Sequence, residues 1–273
     1  MAHEQPAAGH AASTRRERRR ELARAAESTV PASGDDQGLF RPARRPLVAV
    51  SVTVAAGVLV LVLGFVMKST QADLGIVAAL NRLRSGLWGS ISDAVYRGIE
   101  PVPALIITVI IALVVWLGSR SFRTALAFGA VVALTWLPVA VFKVIVDRPR
   151  PEASALAHPF SPAQTDGSFP SGHTAYIVAL TIALWFLLRG TRWSWLVVVL
   201  GSASTLVVAA AVVSDGLHFP TDALASIIWA LAMAPTARWF VVDVVLRRVL
   251  PARGTRSRDG GSAVDRGAAV GRG

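Results

Sequence analysis

No cysteine occurs in the 273 residues, which excludes disulfides and thiolate-bound metal. Charge is scarce as well. Asp, Glu, Lys and Arg make up 16% of the chain, against roughly a quarter in soluble domains. Negative charge is the scarcer sign, with 17 acidic residues against 28 Lys and Arg and a formal net charge of +11. Apolar residues reach 53% and come in long blocks, the pattern of an integral membrane protein. The basic surplus does not point to nucleic acid, because the arginines cluster in the two tails and beside the apolar blocks. Arginine in those places reads as a topology signal and a contact for anionic lipid heads. The blocks are almost free of charge at their centres, which argues against a transporter with polar, broken mid-membrane helices.

The periodicity predicts an all-α fold, a six-helix transmembrane bundle. The expected spans are Pro46–Met67, Val102–Leu117, Thr124–Val146, His173–Leu188, Trp195–Val213 and Thr221–Val241. Each is compatible with a bilayer core of about 30 Å, the fourth being short. Pro235 is expected to bend the sixth. Residues 69–99 carry apolar positions at helical spacing around Asn81, Arg82 and Arg84, and predict short amphipathic helices between the first two spans. Residues 1–45 and 251–273 read as disordered basic tails around a membrane domain at 46–250. A cleaved signal peptide is not expected, since the first apolar run is long enough to span.

Positive charge sets the expected orientation. Lys68, Arg82, Arg84, Arg97, Lys143, Arg148 and Arg150 fall on one side by parity; the rest of the 28 Lys and Arg fall on the other. The richer side is the cytoplasmic one. Both termini are therefore expected in the cytoplasm, with residues 69–99 and the 147–170 connection outside. Trp116, Trp185, Trp193, Trp195 and Trp239 lie near the cytoplasmic ends, as an aromatic belt does.

Three short segments on the outer side carry chemistry. The first, KVIVDRPRP, places Lys143, Arg148 and Arg150 within eight positions. Each proline pushes the residue before it toward extended geometry. Arginine forks match phosphate oxygens, and lysine serves as a point charge. The second, FPSGHT, sets Ser171, Gly172 and His173 at the start of a span. A helix N-terminus offers unpaired N–H groups and partial positive charge to an anion. The third, GLHFPTD, puts His218 and Asp222 four apart at another helix start. A carboxylate on one ring nitrogen leaves the other nitrogen free to attack. Taken singly, each has a plain structural explanation: a snorkelling lysine, an ordinary N-cap, a satisfied interfacial histidine. Together they point to phosphate held for covalent transfer. His3 and His10 lack such partners, and His158 is placed to flank the site.

These residues resemble the type-2 phosphatidic acid phosphatases, whose members share a six-helix core and the motifs K-x6-RP, PSGH and SR-x5-H-x3-D. Lys143, Arg150 and Pro151 match the first, and Pro170 to His173 the second. His218 and Asp222 match the second half of the third. The resemblance implies a metal-independent membrane phosphatase acting on lipid phosphates, with no cofactor and with membrane lipids around it. It makes His218 the nucleophile, Asp222 its orienting carboxylate and His173 the acid for the leaving oxygen. Lys143, Arg150, Ser171 and Gly172 would bind phosphate. The family's Ser-Arg pair falls at Ala211 and Val212, both apolar. Arg148 is the candidate to replace the missing charge.

Overall fold

The structure, a computed structural model, describes residues 38–249. The tails expected at 1–45 and 251–273 therefore lie almost wholly outside the described residues. Among those described, every regular element is helical. The longer helices are α1 (Pro46–Thr70), α2 (Leu74–Asn81), α3 (Gly86–Gly98), α4 (Pro101–Ser119), α5 (Phe122–Trp136), α6 (Val139–Val146), α7 (Gly172–Leu188), α8 (Ser194–Ser214) and α9 (Pro220–Arg238). Proline opens α1, α4 and α9, where its missing N–H costs nothing and its φ is already helical.

Among the described residues, five helical stretches are long and apolar enough to cross a membrane: Pro46–Thr70, Pro101–Ser119, Phe122–Val146, Ser194–Ser214 and Pro220–Val249. The expected fourth span is α7, shorter at 17 residues. The expected third span is not one regular helix. Leu137 and Pro138 interrupt it between α5 and α6, because proline cannot donate to the ladder. Pro235 lies inside α9, and the helix widens into a π-helix at Trp239–Leu246 just beyond it.

Packing follows membrane rules. Helices α5, α7 and α9 form the interior, with α1 against α9, α4 against α5 and α8 against α7. Lipid is as apolar as leucine, so helices associate through close backbone approach and polar contacts. The interior is accordingly lined with small residues: Ala125, Ala127, Ala175, Ala179, Ala183, Ala225, Ala230 and Ala234 are buried. Hydroxyls and indoles link helices across it. Thr53 Oγ1 meets Thr236 Oγ1 at 2.8 Å, and Trp229 Nε1 donates to the Thr135 carbonyl at 3.0 Å. Large apolar side chains face outward instead. Leu47, Val102, Val144 and Leu206 are all more than two-thirds exposed, which suits hydrocarbon and not water.

The two ends of α7 are tied down differently. At its far end Arg189 Nε donates to the Gly38 carbonyl at 2.7 Å, and Arg238 Nη1 donates to the Leu39 carbonyl at 3.0 Å. Leu39 and Phe40 are buried there. At its near end lies the site. The connection 71–99 forms α2 and α3, which pack on α8.

Candidate active site

Local chain geometry brings the three segments together. Lys143 stands on α6, whose C-cap Asp147 takes a left-handed conformation (φ 46°) and turns the chain into the Arg-Pro-Arg-Pro stretch. Ser171 caps α7, its Oγ accepting from the Thr174 N–H at 3.4 Å. That cap directs the first N–H groups of α7 toward the site. Between α8 and α9 the chain turns at Gly216 (φ 70°), where a Cβ would come within 2.2 Å of Leu156. The left-handed φ and the close approach both favour glycine there, and the turn delivers His218.

His173 and His218 line one cavity of about 230 Å³, with Lys143, Arg150, Gly172, Asp166, Gln164, Glu100 and Tyr96. Ile99, Pro101 and Trp136 form its apolar wall. The two imidazoles are 6.5 Å apart between ring centroids. That separation leaves room for one tetrahedral group between them. A Cβ on Gly172 would meet nothing closer than Trp136 Nε1 at 4.0 Å, so it would project into open space. His173 Nε2 is buried without a hydrogen-bond partner among the described residues.

His218 is buried, and its Nδ1 stands 3.4 Å from Asp222 Oδ2. This exceeds an ordinary hydrogen bond. Burial pushes the His218 pKa down to about 4; Asp222 opposes the shift, while Arg150 and Lys143 add to it. The ring is therefore neutral at pH 7, the form in which an imidazole nitrogen can attack.

Asp222 is itself held from behind. Its Oδ2 accepts from the Phe219 N–H at 2.9 Å and its Oδ1 from Arg148 Nη1 at 2.7 Å. Arg148 is fully buried; it also donates to Thr221 Oγ1 at 2.8 Å and to Asp73 Oδ1 at 2.6 Å, and lies over the Phe219 ring. The structure thus sets Arg148 behind the His218–Asp222 pair, outside the cavity lining. Ser171 is likewise buried under its own helix. His158 is exposed and does not line the cavity, its backbone gripped on both sides by the Asn81 amide.

Val212 packs in an apolar cluster with Val77, Tyr96, Phe160 and Phe219. Its carbonyl accepts from the His218 N–H at 3.1 Å. Two residues unforeseen from the motifs complete the site. Tyr96 of α3 stacks on His173, centroids 4.2 Å apart. Asp166 bridges the two cavity cations, its carboxylate 2.8 Å from Lys143 Nζ and 2.6 Å from Arg150 Nη2. Tyr96 sits inside the expected outer helical region, but nothing in its neighbours marks it as a partner for a histidine 77 positions away.

The bundle thus gathers two histidines, a backed carboxylate and paired cations around one cavity. Residues 124–245 match the family model of the PAP2 superfamily. The chain is 28% identical over 130 residues to the undecaprenyl-diphosphatase BcrC of Bacillus subtilis (strain 168). That match takes in 47% of this chain and spans 64% of the relative's length. The fold resembles a solved transmembrane PAP2-type phosphatidylglycerolphosphate phosphatase from Bacillus subtilis, with TM-score 0.57 and 20% identity. That similarity covers 72% of this chain and 96% of the other.

Proposed function

We propose that this protein is a phosphatase hydrolysing a lipid phosphate or polyprenyl (pyro)phosphate at the outer leaflet, through a phosphohistidine formed on His218. The observation that carries the reading is the single cavity shared by His218, His173, Lys143 and Arg150. A terminal phosphate between the imidazoles has both cations beside it. Asp222 keeps the Nδ1 proton of His218, and Nε2 attacks phosphorus. The bond from phosphorus to the bridging oxygen breaks, and His173 gives that oxygen a proton. Water then attacks the phosphohistidine and loses its proton to His173. Inorganic phosphate leaves, and His218 is restored. Lys143 and Arg150 supply the positive charge this transfer needs, so no metal enters the scheme.

The named relatives act on lipids bearing a terminal phosphate or diphosphate, which supports the substrate class. The apolar wall of Ile99, Pro101 and Trp136 is suited to a lipid chain entering from the membrane. The asymmetry of Lys and Arg favours cytoplasmic termini and a site on the opposite face, with six crossings in all.

The test is phosphate release from a panel of lipid phosphates and polyprenyl diphosphates by the purified full chain, with and without EDTA. Release should survive EDTA. His218→Ala should cut it by about 10³-fold or more, as expected for loss of a nucleophile. Undiminished turnover in His218→Ala, or strict dependence on a divalent ion, would overturn the scheme.

The apolar pair Ala211 and Val212, where the family carries Ser-Arg, favours a second reading: a lipid-phosphate binder of the same fold with weak or no turnover. It predicts binding of the same lipids without phosphate release by the wild type.

A further inference from the structure

The cavity that would receive phosphate already holds an anion supplied by the chain. Asp166 places one carboxylate oxygen 2.8 Å from Lys143 Nζ and the other 2.6 Å from Arg150 Nη2. It lines the same cavity as His173, Gly172 and His218. We propose that Asp166 is a built-in competitor that occupies the phosphate cradle at rest and sets an affinity threshold that terminal phosphates pass and phosphodiesters do not. The inference rests on the phosphate-cradle reading above.

Three features support a displaceable occupant over a fixed structural ion pair. First, the Asp166 side chain is 55% exposed, so it loses little hydration by joining the cations and little by leaving them. Second, the cations keep partners when it leaves. Lys143 Nζ also donates to the Gly167 carbonyl at 2.6 Å. Arg150 donates to the Asp166 backbone carbonyl at 3.1 Å and the Leu217 carbonyl at 2.7 Å. Rotation of one side chain therefore empties the cradle without dismantling it. Third, the backbone around Asp166 is pinned: Ser168 N–H donates to the Arg148 carbonyl at 2.8 Å, and Arg97 Nη2 donates to the Ser161 carbonyl at 3.1 Å.

Charge decides which anions pass the threshold. A tethered carboxylate carries one negative charge at high effective concentration. A phosphodiester headgroup carries one as well and gains little by replacing it. A terminal phosphate carries up to two charges and three free oxygens near neutral pH, and displaces the carboxylate. Most lipids around a membrane protein are phosphodiesters, so the internal anion keeps the cradle from being filled by its own solvent. The displacement lowers the apparent affinity of every anion by the same factor, so weakly held diesters fall below useful occupancy while tightly held terminal phosphates do not. Partial burial raises the Asp166 pKa, but Lys143 and Arg150 outweigh it and hold the group well below the usual carboxylate range. The competitor therefore stays charged across the physiological range.

The experiment measures binding of inorganic phosphate and of dimethyl phosphate to the full chain in detergent by calorimetry. It compares wild type, Asp166→Asn, Asp166→Ser, Asp166→Glu and Lys143→Met, with thermal unfolding as the folding control. Wild type should prefer phosphate. Both neutral variants should bind both anions about tenfold or more tighter, while Asp166→Glu stays near wild type. Unchanged or weaker binding of both anions in folded Asp166→Asn and Asp166→Ser would overturn the competitor role alone. Phosphate binding that Lys143→Met leaves untouched would instead overturn the cradle itself, and the competitor with it.

Discussion

Arg148 illustrates how one side chain changes meaning between pattern and structure. Its place in the Arg-Pro-Arg-Pro stretch suggests a second phosphate ligand. Its guanidinium instead joins Asp222, Asp73 and Thr221 in a dry network. Removing one partner of a buried ionic network leaves the other charges unpaired, at about 3–5 kcal/mol. Arg148→Ala should therefore destabilise the protein by that order, read from thermal unfolding in detergent. Its loss with Asp73→Asn should be less than additive, since the two share one interaction. Inorganic phosphate affinity should fall in Arg150→Ala and hold in folded Arg148→Lys. A stable Arg148→Ala with weakened phosphate binding would restore the phosphate-ligand role. Val212 makes the complementary point. It lies in an apolar cluster, so an arginine there would bury a cation among Val77, Phe160 and Phe219.

At the scale of elements, α2 and α3 contribute more to the site than a connection would. Arg84, between them, donates to Asp215 Oδ1 at 2.8 Å and pairs with Asp93. Asn81 Nδ2 bonds the Ser214 carbonyl at 2.8 Å and the His158 carbonyl at 3.0 Å. These contacts brace the Gly216 turn and the 158 loop against the bundle. From this platform Tyr96 stacks on His173, fixing the plane of the ring proposed to protonate the leaving oxygen. Aromatic stacks of this kind contribute about 0.5–1.5 kcal/mol beyond their burial. Tyr96→Leu should lower kcat severalfold, most for poor leaving groups, with KM little changed. Tyr96→Phe should remain near wild type because the ring is kept. Equal loss in both variants would indicate a role for the hydroxyl instead of the stack.

For the whole molecule the open quantity is orientation, and the absence of cysteine makes it measurable without background. Ala163→Cys, in the loop beside the cavity, should react with an impermeant thiol reagent in intact cells. Thr191→Cys, at the far end of α7, should react only after permeabilisation. The reverse pattern would place the site on the cytoplasmic face and invert the positive-inside argument.

Much of this protein was legible in the order of its residues. Apolar blocks bounded by prolines and charges locate the membrane-crossing stretches, because a helix long enough to span satisfies its own backbone inside hydrocarbon. Local motifs mark Lys143, Arg150, His173, His218 and Asp222, because a helix start and a four-residue spacing are short-range geometry. The tertiary structure alone decided which carboxylate faces which cation. Asp73 and Asp222 claim Arg148, and Asp166 claims Lys143 and Arg150, across separations that no periodicity encodes. Tyr96 meets His173 for the same reason. Charge pairing and ring stacking act over a few ångströms in space, and only the packing of helices brings distant segments within that range.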